Sequence, residues 1–372
     1  MKYLHLLLIV LSPALFGQTP GLNWPIFRGK SSLSGITDFE ITYKPVLLWN
    51  TVTGVRTKSA PVLNQGIIYF GNEKGSLIAC NSDGKVLWKY ETGSLAEAPP
   101  LVFGGAIYMG SADGKLNAVD KTSGRLLFSY KTDNKVAGSA NYWEASSKSG
   151  IIFGSYDYHL YCIDPKSGKL MWKVETDNYI NGTPAVFGNR VIFGGCDGIL
   201  RIADVLTGIE TDTINIGVYI AASPAISSGR AYFGDYNGEL YCVDLKQRKI
   251  EWQVTATENA GPVTGIPAAG NNFVIIGNDD KYIYCFDMNT GKQVWRFRTN
   301  GPVTGSAVMT PSKVLFGSTD GYIYLLNLAD GKKVWSFNAG APIGSSPVVI
   351  KDRFYFLTED GRLLAFGLKK LK

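Results

Sequence analysis

Asp287-Met288-Asn289-Thr290-Gly291-Lys292-Gln293-Val294-Trp295-Arg296-Phe297 is the stretch whose reading decides the fold. It is a turn followed by a strand. Asp bonds nearby backbone amides and Gly supplies a conformation other residues resist, so the first half reverses the chain. The second half places a tryptophan inside a short alternating run, the mark of a strand. The unit recurs. Asp164-Pro165-Lys166-Ser167-Gly168 leads to Trp172, and Asn327-Leu328-Ala329-Asp330-Gly331 leads to Trp335. Trp49, Trp88, Trp172, Trp252, Trp295 and Trp335 all occupy the same place. Phe128 takes it in the second unit and Asp212 in the fourth, where Thr211-Asp212-Thr213-Ile214 is the poorest match. A tryptophan repeated once per unit is a structural docking residue, filling the wedge between neighbouring units.

Outward from that strand, an aromatic or aliphatic residue followed by Gly recurs as Phe70-Gly71, Met109-Gly110, Phe153-Gly154, Phe193-Gly194, Phe233-Gly234, Ile276-Gly277 and Phe316-Gly317, with Phe356-Leu357 as the eighth copy. The steps run from 39 to 44 residues, the period of propeller blades. Between the copies lie tight turns such as Asp113-Gly114, Asp197-Gly198 and Asp320-Gly321, then alternating strands such as Leu240-Tyr241-Cys242-Val243-Asp244. Four antiparallel strands per unit and eight units predict an all-β, eight-bladed β-propeller. The eighth unit lacks a tryptophan strand of its own. The strand around Trp49, Pro45-Val46-Leu47-Leu48-Trp49-Asn50-Thr51, is expected to supply it and latch the ring shut. The expected organisation is a signal peptide over 1–17, a lead-in over 18–43 and a single propeller over 44–372.

Composition agrees and narrows function. Of 372 residues, 45% are hydrophobic and 18% charged, with 43 glycines, which suits a large core punctuated by turns. The two histidines, His5 and His159, leave no histidine-rich metal centre, and no GxSxG is present. The charge of +6 is scattered, without a basic stripe interleaved with stacking aromatics, so no nucleic-acid partner is expected. Lys2 and the apolar run Leu4 to Phe16 form an export signal too short to span a bilayer comfortably, with cleavage after Gly17 or retention as an anchor as the two readings. After cleavage no integral membrane segment remains, and the mature chain is expected to be periplasmic or secreted, and monomeric. Cys162, Cys242 and Cys285 share one context, so the five cysteines read as small buried thiols rather than disulfides or metal ligands.

The Asp-to-Gly turn and its tryptophan resemble the docking motif of the quinoprotein-type propellers, the pyrroloquinoline-quinone-like repeat superfamily, over about residues 44 to 372. Trp24-Pro25-Ile26-Phe27-Arg28-Gly29 resembles the lead-in of its exported members. The superfamily holds dehydrogenases and binding proteins on one scaffold. Its quinone-dependent dehydrogenases imply pyrroloquinoline quinone with calcium, often beside adjacent cysteines, which are missing here. Its BamB-like exported members imply a non-catalytic scaffold that engages a protein in the bacterial envelope. Binding without catalysis and without a cofactor is the expectation, through an envelope protein or small ligand. A quinone- or small-ligand-dependent oxidoreductase using the central funnel is the alternative.

Candidate sites follow from departures from the repeat. The crossings between blades are crowded with small residues, such as Ala137-Gly138-Ser139 and Gly344-Ser345-Ser346. Against that background Arg56, Lys58, Glu97, Tyr179, Asn181, Tyr219, Glu258 and Asn259 stand out, either as the lining of a funnel pocket or as solvated loops. Trp143, in an extended third unit, reads as a partner contact or as a cover for the channel floor. No catalytic or metal-ligating residue is expected.

Overall fold

The chain is seen in a computed structural model that describes residues 23–220, 222–257 and 261–368. The expected architecture is borne out. Eight sheets of four antiparallel strands follow one another around an axis. Blades 1 to 7 span 62–91, 101–131, 141–175, 185–215, 225–255, 268–298 and 308–338. Blade 8 takes three strands from 348–367 and its fourth from Val46–Val52. That closing strand pairs antiparallel with Arg362–Gly367, with Trp49 opposite Ala365 and a bulge between Leu47 and Trp49.

Five of the six docking tryptophans, all but Trp335, lie on the turn of the following blade. Trp295 Nε1 donates to Leu328 O at 2.7 Å, Trp172 Nε1 to Val205 O at 3.0 Å, Trp252 Nε1 to Met288 O at 3.2 Å, and Trp49 Nε1 to Ser82 O at 3.0 Å. The turn glycine is required twice over. Gly331 has φ +66, and a Cβ there would stand 2.7 Å from the Trp295 ring. Trp88 packs the same way on Gly124, but its Nε1 has no hydrogen-bond partner, and Tyr69 donates to the corresponding carbonyl of Lys121. Trp335 packs edge-on against Phe354 and Phe366.

The poor match in unit four is a compensated exchange. Asp212 sits in the tryptophan register, opposite Ile202, and its carboxylate meets Arg248 Nε at 2.9 Å. Arg248, at φ +61, occupies the turn-glycine position of blade 5. An ion pair therefore replaces a ring on a glycine. Arg248→Gly alone should cost about 1 kcal/mol, little because Arg248 is more than half exposed. Asp212→Trp alone should cost more, since the ring would be driven against Arg248. The double variant should return to within about 1 kcal/mol of the parent, restoring the motif used elsewhere. Urea unfolding of the four proteins checks this. Additive losses would show that the two positions are not coupled.

The lead-in runs through the ring. Trp24 exchanges backbone hydrogen bonds with Leu63 of blade 1, and Pro25 O accepts from Val102 N of blade 2. Ser31 O accepts from Asn141 Nδ2 of blade 3 and Val186 N of blade 4, Ser32 O from Ile226 N of blade 5, Ser34 O from Ala269 N of blade 6, and Gly35 O from Met309 N of blade 7. The segment thus circles the axis and satisfies innermost strands that would otherwise present unpaired edges. Trp24, Ile26 and Leu33 are buried in the cores it crosses. Arg28 is buried as well, donating to Ala307 O at 2.6 Å and Pro267 O at 3.2 Å. Burial pushes its pKa down to about 9. A Cβ at Gly35 would overlap this guanidinium, which accounts for that glycine.

Cys80, Cys162, Cys242 and Cys285 are buried free thiols and Cys196 is a half-buried one, as the repeat context implied. No helix among the described residues is long and apolar enough to cross a membrane. The expected signal peptide lies outside the described residues.

Candidate functional site

One face of the ring carries the crossings between blades and the turns between second and third strands. Backbone bonds tie them together: Glu73 N to Arg56 O, Ala112 N to Leu95 O, Tyr156 N to Lys135 O, Cys196 N to Tyr179 O, Tyr236 N to Tyr219 O, Thr319 N to Pro302 O and Glu359 N to Pro342 O. Arg56, Leu95, Lys135, Tyr179, Tyr219, Pro302 and Pro342 therefore hold equivalent places on an outer ring. The next residue inward, such as Ile180, Ile220, Val303 or Ile343, is buried in the blade. Beyond it, Lys58, Glu97, Ala137, Asn181, Thr264, Thr304 and Gly344 hold equivalent places around the mouth of the axis.

The structure thus separates the expected funnel residues into two sets. Lys58 and Asn181 line the axial cavity, with Glu97 at the same level of the mouth. Burial pushes the Glu97 carboxyl upward, and Lys58 opposes that shift. Arg56, Tyr179 and Tyr219 stand further out, and Arg56 meets Glu73 at 3.9 Å. Glu258 and Asn259 lie outside the described residues. Trp143 is a correction. Its side chain is 3% exposed, packed with Trp172 and Val186 between blades, and its Nε1 lies 3.4 Å from Cys162 Sγ. The residue falls on the inward-facing side of the strand Asn141–Ala145, so it is a core residue and no surface contact.

Tyr179 and Tyr219 belong to a larger aromatic strip. Tyr156 stacks on Tyr179 at 4.7 Å between centroids, with Lys135 Nζ 4.0 Å above Tyr156. Tyr158 leans on Tyr179 at 5.3 Å, and Tyr219 meets Tyr236 edge-on at 6.1 Å. Tyr219 is 53% and Tyr236 57% exposed. Burial, then the neighbouring Cys196, Tyr179 and Tyr236, push the Tyr156 hydroxyl upward. The strip crosses blades 3 to 5, and acidic Asp279 and Asp280 follow on blade 6. Sequence reasoning missed Tyr156, Tyr158 and Tyr236. The available signal was an aromatic residue in the second turn of the unit, where other blades carry Ala112 or Thr319. Rigid turns hold these side chains. Tyr161 Oη donates to Asp157 at 2.8 Å and Tyr241 Oη to Asp235 at 2.9 Å, fixing each turn to its own third strand.

On the axis lies a cavity of about 220 Å³, floored by Phe27 of the lead-in. Its wall is small and hydroxylated, with Ser139, Thr183, Ser223, Ser306 and Ser346 at the same place in five crossings.

The model of the family described as outer membrane protein assembly factor BamB matches residues 46–152, 135–211, 210–297 and 279–370, nearly the whole propeller. The chain belongs to this family. Among solved structures it is similar to BamB from Moraxella catarrhalis, with 18% identity and a TM-score of 0.74 over 89% of this chain and 99% of that one. It is also similar to a europium-containing methanol dehydrogenase, at 12% identity and a TM-score of 0.81 over 94% of this chain and 98% of that one. A third likeness is the quinohemoprotein alcohol dehydrogenase of Comamonas testosteroni, at 12% identity and a TM-score of 0.78 over 94% and 82% of the two chains. At such identities these likenesses show the fold alone. No curated protein matches the sequence.

The BamB family shares its fold with quinone enzymes, whose cofactor would place definite demands on an axial site. Pyrroloquinoline quinone is a flat tricarboxylate, and calcium takes about six to eight oxygens, several from carboxylates. Among the described residues lining the cavity, Lys58 is the one cation and no Asp, Glu or Trp is present. The volume is below the roughly 300 Å³ where cofactor pockets begin. No group of His, Cys, Asp and Glu suited to a metal occurs among the described residues. These residues do not fit that group.

Proposed function

We propose that this BamB-family chain is an exported, non-catalytic scaffold that engages a protein partner of the bacterial envelope through the face bearing the tyrosine strip. The supporting observation is the run of Tyr158, Tyr179, Tyr219 and Tyr236, exposed across three blades and backed by half-buried Tyr156, on turns tied to their own strands. Tyrosine offers a large contact area with little rotamer freedom to lose, and such residues dominate binding energy at interfaces. Asp279 and Asp280 beside the strip favour a partner with an apolar ridge flanked by basic residues. The likeness to an outer membrane assembly factor points to an assembly component as that partner.

The test is capture from envelope membranes with the exported chain, comparing the parent with a Tyr179→Ala, Tyr219→Ala, Tyr236→Ala variant and a control, Leu206→Ser, at an exposed site in the third-to-fourth-strand turn of blade 4. Each exposed aromatic lost should cost on the order of 1–2 kcal/mol of binding, so the triple variant should retain under a tenth of the captured partner. Its melting temperature should match the parent, and the control should capture normally. Equal capture by the triple variant would end this reading.

A further inference from the structure

We infer that the axial cavity is a binding site for a carboxylate, either a small free acid or the carboxyl end of a peptide. The wall is built of donors. Thr183 Oγ1 accepts from Ser139 N at 3.1 Å, Ser223 Oγ from Thr183 N at 2.7 Å, and Ser306 Oγ from Ile266 N at 2.9 Å. A hydroxyl engaged as an acceptor still has its own proton to give. Ser139 is 1% exposed, lines the cavity, and its Oγ has no hydrogen-bond partner. A buried hydroxyl left unpaired is unfavourable, and a ligand acceptor would satisfy it.

The charge has the matching sign. Lys58 is exposed at the mouth, near enough to Glu97 to act on its carboxyl but not in direct contact with it. Arg28 lies beneath the floor, since its acceptors Pro267 O and Ala307 O directly follow Ile266 and Ser306 of the lining. Arg28 is buried without an acidic partner, and its Nε is unpaired. Two cations and a donor-rich wall, with Glu97 on the rim rather than in the lining, select an acceptor-rich anion. Size then limits it. A cavity of about 220 Å³ holds some seven water shares of roughly 30 Å³, enough for a small acid or one terminal residue. Phe27 and Ile266 offer an apolar floor for a short side group.

The experiment titrates the full exported chain with lactate, malate, the dipeptide Gly-Ala and Gly-Ala amide, by calorimetry and by amide shifts of Gly138, Gly182 and Gly305. Binding of lactate or malate identifies a free acid. Binding of Gly-Ala, with neither the amide nor the free acids, identifies a chain end. In either case Lys58→Gln should weaken binding at least tenfold, and Ala137→Asp, which places a like charge at the exposed mouth, should abolish it. Both positions are exposed, so folding should survive, and the tyrosine strip is untouched. The inference is overturned if no probe binds at about 10 mM, or if both variants bind as the parent does.

Discussion

Deletion of Val46–Val52 is expected to abolish cooperative unfolding of the whole ring rather than loosen one blade. That strand closes blade 8 along Arg362–Gly367. It also fastens blade 8 to blade 1, because Trp49 Nε1 donates to Ser82 O and Thr51 Oγ1 to Gly84 O at 2.6 Å. Without it blade 8 ends in an exposed strand edge, and the wedge beside Tyr355 loses its tryptophan. The lead-in would also lose its anchor, releasing Trp24, Ile26 and Leu33 from the channel. Burial of those three side chains alone is worth roughly 5–8 kcal/mol as an upper estimate, comparable with the whole stability of an ordinary domain. Thermal denaturation followed by circular dichroism, with size-exclusion chromatography, reads the outcome. A deleted chain that melts as a cooperative monomer within a few degrees of the parent would refute the latch.

The second large effect is at an ordinary junction. Trp295→Ala should destabilise by about 3–5 kcal/mol, through the lost ring, the cavity left behind and the Nε1 bond to Leu328 O. Trp295 is 8% exposed and lies against Gly331 of the next blade. Gly331→Ala should also destabilise, from the other side of the contact, because its Cβ would meet the ring at positive φ. Trp295→Phe should recover part of the loss, as Phe128 serves at the equivalent place. Chemical denaturation measures all three. A loss under about 1 kcal/mol for Trp295→Ala would mean the ring is not the fastening between blades 6 and 7.

The site was less legible than the fold. Lys58, Glu97 and Asn181 were found because charged or bulky residues interrupt a run of small ones, and that contrast is local. Trp143 misled because a lone aromatic in an extended unit looks the same whether its strand turns it outward or inward. Tyr156 and Tyr236 were passed over because each sits in a turn of ordinary appearance. Their meaning lies in neighbours on the crossings between blades, Tyr179 for the first and Tyr219 for the second.

By itself the sequence determined the blade, its count and its closure. Those features rest on hairpins, turn glycines and strand alternation, all settled by residues within a few positions of one another and repeated eight times. Only the tertiary structure decided the course of the lead-in, the Asp212–Arg248 exchange, the tyrosine strip and the donor-lined cavity. Each joins residues from different blades or from the two ends of the chain. Their proximity exists only once the ring has closed, and no local pattern records which crossings then meet at the same radius.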